Sequence, residues 1–293
     1  MSLKLRFKSF LFRFLEILPN RLGDQVYYKV QDLFSKEDLD FKIRSSHNSF
    51  RTFQTITWEN GIEIKDRVVI EIGSGWLPLM PYFFRYIGRA KKVETFDLNR
   101  HYQKKNIEKL NDAFSKEYEV EISKDKDKES AYSLPEDIKY YPNTNILDQK
   151  LTNCDLVFSR FVLEHMKPET IKSMHLKIKN ESRPGAHIVH LISPGDHRAY
   201  VDKNLSLQDF LKYSEHEWKK KHTRFDYHNR LRLPQYLKIF NKLNLEIVHV
   251  SYEVPDENSE YYRKFKALEL HQDYRNFTDE ELMAGAINII LKV

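Results

Sequence analysis

The segment MSLKLRFKSFLFRFLEILPN places apolar side chains at Leu3, Phe7, Phe10, Leu11, Phe14, Leu15 and Leu18, with Lys4, Arg6, Lys8, Arg13 and Glu16 between them. That spacing predicts a basic amphipathic helix. The charges interrupt every apolar run, so the helix is too short and too charged to span a bilayer. With no A-x-A cleavage pattern, it does not read as a secretory signal. Two placements are open, docked on its own domain or lying on an anionic membrane surface. Helical character continues to about residue 50, after which short β-rich runs alternate with helical stretches. Strands are predicted at Val68–Ile72, Lys92–Phe96, Ile138–Tyr141, Leu156–Ser159, Ala186–Ile192, Leu245–Tyr252 and Ala286–Val293. Such alternation gives an α/β fold, a mostly parallel sheet covered on both faces, whose ligands sit beyond the carboxyl ends of the strands.

Three units follow: a helical N-terminal extension over 1–55, an α/β domain over 56–293, and within it a substrate lid at about 196–234. The lid is inferred because the fifth-to-sixth-strand interval is far longer than one crossover helix requires. Ser206, with Asp209 three on, predicts a helix start there, with Leu207, Phe210, Leu211 and Trp218 as its apolar face, and Pro234 predicts the start of another helix. Lys219, Lys220, Lys221, Arg224, Arg230 and Arg232 lie between the two helices. They would meet a phosphate or carboxylate on an acceptor, or form a solvated basic face. The charged run SKDKDKES, Ser123–Ser130, is expected to be a solvated loop.

Composition narrows this picture only modestly. With 293 residues, 41% of them hydrophobic, the chain can bury a sizeable core. Its 48 basic and 43 acidic residues leave a net charge of +5, short of what a dedicated nucleic-acid binder carries. Cys154 is the only cysteine, which excludes an intrachain disulfide and a cysteine zinc site and suits a reducing compartment. A cytoplasmic protein is expected, peripheral to a membrane if the first helix lies on lipid.

The stretch RVVIEIGSGW runs from a strand into Gly73, Ser74 and Gly75, a turn at which the backbone can approach a ligand closely. No lysine of the P-loop kind follows, and Pro78 stands where a dinucleotide fingerprint needs its third glycine. Asp97 closes the second strand about twenty residues on, where a carboxylate can accept both hydrogen bonds of a ribose diol or cap a following helix at Leu98 or Asn99.

Glu71-x-Gly73-x-Gly75, with Leu77 at the third glycine position, resembles the first motif of the class I S-adenosylmethionine-dependent methyltransferases. CDLVFSRFVLEH, Cys154–His165, resembles their fourth-strand motif, and the two terminal strands resemble the hairpin that gives their sheet an antiparallel seventh strand. The resemblance covers about residues 60–293 and implies a Rossmann-like seven-stranded sheet with S-adenosyl-L-methionine as cofactor. It also implies a cofactor site of Glu71, Gly73, Ser74, Gly75, Asp97, Leu98, Ser159 and Arg160, with Asn145 toward the adenine.

For an acceptor hydroxyl the candidate bases are His165 and His197, the latter oriented by Asp196 or Glu164. Glu164, His165, His190 and His197 match no strong ligand spacing, so no metal is expected. The run from SRFVLEH through SPGDH to NRLRLPQYL looks like methyltransferases of surface-polysaccharide and glycoconjugate assembly, which implies a saccharide or other small-molecule acceptor. The alternatives are an RNA methyltransferase and a protein that binds the cofactor without catalysis. Nucleic acid is disfavoured because FSRF stands where base-modifying enzymes carry N-P-P-Y.

Overall fold

The computed structural model describes residues 3–19, 22–23, 26–27, 38–122, 132–151 and 153–293; the run Ser123–Ser130 lies outside them. Helix α1 spans Leu3–Ile17 and α2 spans Leu39–Glu59. The strands are β1 Val68–Ile72, β2 Lys92–Phe96, β3 Ile138–Tyr141, β4 Leu156–Arg160, β5 His187–Ile192, β6 Glu246–Glu253 and β7 Gly285–Lys292. Each lies within a residue of its predicted range, because β-branched runs bounded by turn residues mark buried strands strongly.

The strands form one seven-stranded sheet in the order β3-β2-β1-β4-β5-β7-β6. β1 to β5 are parallel, and β7 runs antiparallel to both β5 and β6. This is the Rossmann-like fold expected of a class I methyltransferase. The register places Ile72 opposite both Phe96 and Ser159, so β1, β2 and β4 end level, and Gly73, Asp97 and Arg160 emerge at one edge. Alternation along β1 sends Val69 to one apolar layer and Ile70 and Ile72 to the other.

Helix α2 builds the first of those layers. Ile43, Ser46, Phe50, Phe53 and Thr57 recur along its buried side, and Phe53 meets Phe158 of β4 edge-on at 5.6 Å. The helix runs through residue 55 without a break, so the division expected there falls inside a core element. Helix α3, Pro168–Glu181, and helix α4, Leu233–Lys242, which carries Pro234 in its first turn, supply the opposite layer.

The segment expected as a lid, 196–234, contributes to a small core of its own. Phe210, Leu211 and Trp218 pack with Phe265, Tyr274, Leu282 and Met283 of the excursion between β6 and β7. The helix expected from Ser206 is not formed. Ser206 Oγ accepts from the Gln208 amide, a 3₁₀ turn follows at Asp209–Lys212, and Trp218 belongs to a separate helix, Glu215–Lys219. Ser214 and Glu217 form a reciprocal capping box that starts this second helix.

Helix α1 docks on the lid through Leu5, Phe12 and Leu15, with Phe12 edge-on to Tyr27 at 5.5 Å. Arg13 donates to the Lys220 carbonyl at 3.1 Å, and Glu16 accepts from the Arg224 amide at 3.2 Å. Much of the expected apolar stripe therefore faces outward. Leu3, Phe7, Phe10, Phe14 and Ile17 are exposed, because a second apolar row on the same helix takes the packed side. Among the described residues no helix is long and apolar enough to cross a membrane.

Candidate functional site

The turn after β1 is held from two sides. Gly73 and Gly75 have φ of +80° and +63°, the left-handed region that a side chain disfavours. A Cβ at Gly73 would lie 2.4 Å from Val162 Cγ2, so the turn and the segment after β4 touch only because that side chain is missing. Asp97 Oδ2 accepts from the Gly75 amide at 3.1 Å and from Ser74 Oγ at 3.4 Å, while Oδ1 accepts from the Asn99 amide at 2.9 Å. Asp97 therefore starts no helix. Its carboxylate pins the glycine turn to the end of β2 and remains on the wall of a large cavity.

Glu71 lies beneath the turn, buried, and accepts from Thr95 Oγ1. Burial pushes its carboxyl up to about 8, with the Asp97 charge in the same direction and the Thr95 hydrogen bond and Arg160 opposing. Arg160 donates to Ser46 Oγ at 3.2 Å and Ser45 Oγ at 2.9 Å, so α2 fixes its guanidinium beside the turn. A smaller cavity of about 350 Å³ is lined by Ser45, Glu71, Gly73, Ser74, Gly75 and Arg160. The larger one, about 1330 Å³, shares Gly73, Gly75 and Arg160 with it and continues past Asp97, Leu98 and Asn145 to His165 and His228. Asn145 Oδ1 accepts from the Leu147 amide at 3.0 Å, which leaves its amide nitrogen for other partners. Ser159 lies apart: its hydroxyl is buried against His190 Nδ1 at 2.7 Å, and it lines neither cavity.

Three imidazoles meet beside the large cavity: His165 and His228 line it, and His197 packs against both without lining it. His165 follows β4, His197 follows β5, and His228 comes from the returning arm of the lid. Ring centroids are 5.0 Å apart for His165 and His197, 5.2 Å for His165 and His228, and 4.5 Å for His197 and His228. Desolvation lowers all three; with repulsion from the neighbouring rings added, it brings His197 to about 4 and His228 to about 2, so each ring is neutral at pH 7. Neither orienter expected for His197 is hydrogen-bonded to its ring, although Glu164 Oε2 is buried without a partner among the described residues. Asp196 is bound in a fork by Arg198 at 2.6 to 3.0 Å, and Glu164 accepts from the Ser193 amide at 3.1 Å. His190 also lies away from the cluster, its Nε2 at 2.8 Å from His175 Nε2 inside the core.

The lid arginines divide in the same way. Arg232 is fully buried and donates to the carbonyl oxygens of Pro194 at 2.6 Å and Arg230 at 3.2 Å; Arg230 donates to Phe210 O at 3.0 Å and pairs with Glu215 at 2.8 Å. They satisfy backbone ends inside the lid, and only Lys219 and Arg224 of the basic set share the cavity wall with Arg230. His228 and Asn229 escaped the sequence reading, since nothing local marks a residue whose partners lie over sixty positions away.

No family model and no curated protein matches the chain. Among solved structures it is matched to an S-adenosylmethionine-dependent methyltransferase from Mesorhizobium loti at 13% identity, covering 79% of this chain and 93% of that one, TM-score 0.42. It is also matched to geranyl diphosphate C-methyltransferase from Streptomyces coelicolor A3(2), in complex with S-adenosyl-L-homocysteine, at 13% identity over 89% and 86% of the two chains, TM-score 0.45. Phosphoethanolamine N-methyltransferase 1 of Haemonchus contortus matches at 11% identity over 94% of this chain and 50% of its own, TM-score 0.49. The strand order is what defines the class: this chain has the fold of the class I S-adenosylmethionine-dependent methyltransferases.

Proposed function

We propose that the protein transfers a methyl group from S-adenosylmethionine to a hydroxyl of a saccharide or related small-molecule acceptor. The observation that carries this reading is the continuous large cavity, which has Asp97 and Asn145 at one end, Gly73 and Gly75 along its wall, and His165 and His228 at the other. The donor and acceptor set fits the cofactor: a carboxylate for the ribose diol, a turn whose Gly73 has no room for a Cβ, and Glu71 with Arg160 toward the amino-acid end. S-adenosylmethionine, when bound, supplies an electrophilic methyl on its sulfonium. The chain's own task is then alignment, and good orientation of two reactants is worth roughly 7–11 kcal/mol. At the acceptor end His165 and His197 are neutral imidazoles able to take a hydroxyl proton.

The first helix bears on where this happens. Leu3, Phe7, Phe10, Phe14 and Ile17 form an exposed apolar row flanked by exposed Lys4, Arg6 and Arg13, a pattern suited to lying in an anionic membrane interface. On the packed side Glu16 lines the large cavity. Membrane contact through α1 would hold that cavity beside lipid-linked acceptors.

Titration calorimetry and transfer of labelled methyl to nucleotide sugars, lipid-linked glycans and transfer RNA test the reading. Asp97→Ala should weaken S-adenosylmethionine binding by roughly 10- to 150-fold through loss of charge-assisted hydrogen bonds of about 1.5–3 kcal/mol. Preference for NADH, or label appearing only on transfer RNA, would overturn it.

A further inference from the structure

We propose that His165, His197 and His228 hold a divalent transition-metal ion of the zinc kind in the acceptor half of the cavity. One ligand atom from each ring lies within 4.8 Å of the others. Zn–N bonds of about 2.1 Å in a tetrahedral site set ligand edges of roughly 3.4 Å, so each ring has to move inward by under about 1 Å.

The second observation concerns what the other ring nitrogens do. His165 Nδ1 lies 3.1 Å from the Tyr227 carbonyl oxygen and His228 Nδ1 lies 3.3 Å from that of Asn229. A carbonyl accepts, so in both rings the proton sits on Nδ1 and the Nε2 lone pair is free. His228 is buried, and its Nε2 has no hydrogen-bond partner among the described residues. A buried, unpartnered acceptor costs about 1–3 kcal/mol, and a cation shared with the neighbouring rings removes that cost. Protein carbonyls on the far nitrogen are the usual outer contacts of metal-bound histidines, where they fix tautomer and ring direction.

Three protein ligands leave a zinc-type ion one position, and His165 and His228 both line the cavity where an acceptor would lie. That position would take an oxygen of the acceptor; with the ion bound, His165 and His197 are ligands rather than bases, and the ion would instead lower the pKa of the acceptor hydroxyl so that its proton passes to water. This use of the ion rests on the proposed methyl transfer; the binding of the ion does not.

The experiment uses the full chain, stripped with a chelator and dialysed against Zn²⁺, and against Co²⁺ for its visible d–d absorption. Metal content and calorimetry should give one equivalent per chain. His228→Ala and, separately, His197→Ala should weaken binding at least about 100-fold, leaving S-adenosylmethionine affinity unchanged. If His228→Ala does not fold, His197→Ala, at a less buried ring, decides the matter. Failure of the folded parent to bind either ion, or equal binding by the variants, overturns the site. Loss of S-adenosylmethionine binding in Asp97→Ala with metal binding intact keeps the two readings separate.

Discussion

The side-chain amide of Asn229 donates to the Leu163 carbonyl oxygen at 2.6 Å, and to the Met166 carbonyl at 2.7 Å. Its backbone amide donates to the Glu164 carbonyl at 2.8 Å, and its own Oδ1 accepts from Tyr236 at 3.2 Å. One residue thus ties the returning arm of the lid to the turn that carries His165 and sets His228 beside it. Asn229→Ala leaves the Met166 carbonyl without this donor and the Leu163 carbonyl with only the Met166 amide at 3.2 Å, and should lower unfolding free energy by about 1–3 kcal/mol. Denaturant unfolding measures that loss, and Zn²⁺ titration should show weaker binding with S-adenosylmethionine affinity unaltered. Full metal affinity in a destabilised variant would mean that Asn229 serves stability alone.

Stability should peak near pH 6.5. His175 and His190 are fully buried, and desolvation lowers the first to about 4 and the second well below its ordinary 6.5. The unfolded chain binds protons below 6.5 that the folded core refuses, so stability falls as pH drops from 6.5 toward 4. Glu71 and Glu164 act oppositely: burial raises both from 4.5 to about 8, so the folded state keeps protons that the unfolded chain releases, and stability falls as pH rises toward 8. Between 4.5 and 6.5 the two effects compete, and His165, His187, His197, His222 and His228, each lowered by desolvation, bring the imidazoles to seven against two carboxyls. Thermal midpoints across pH 4 to 9 test this. A midpoint rising steadily through pH 8 would refute it, and His175→Gln should flatten the acid side.

The outward row of α1 offers a third test. Phe7→Ser, Phe10→Ser and Phe14→Ser together remove exposed rings and leave the packed Leu5, Phe12 and Leu15 in place, so the melting temperature should change little. Sedimentation with anionic vesicles should drop sharply, and the parent's binding should weaken with salt. No sedimentation by the parent protein would end the membrane reading.

The strands and the glycine turn were legible because their signals are local: Val68–Ile72 is an apolar run closed by Gly73, and Asp97 ends the next one. Helix α1 was ambiguous because rings stand on both of its sides, and periodicity cannot say which row is packed. Arg230 and Arg232 read as surface cations because composition does not reveal carbonyl ends inside the lid that lack donors. The histidine cluster was half visible. His165 and His197 follow strands at the edge where ligands bind, while His228 arrives from a loop that Asn229 fastens in place.

The strand order also dictates a sequence of events during synthesis. β6 reaches the sheet only through β7, which enters between β5 and β6 although it is made after both. While β7 is still to be translated, β5 presents an open edge and β6 has no neighbour, two unpaired templates on one nascent chain. A single late insertion pairs Ile287 with Ile192 on one side and Gly285 with Glu253 on the other. The glycine-turn half needs only β1 to β4 to be ordered, whereas the β5–β6 edge stays open until β7 is in place.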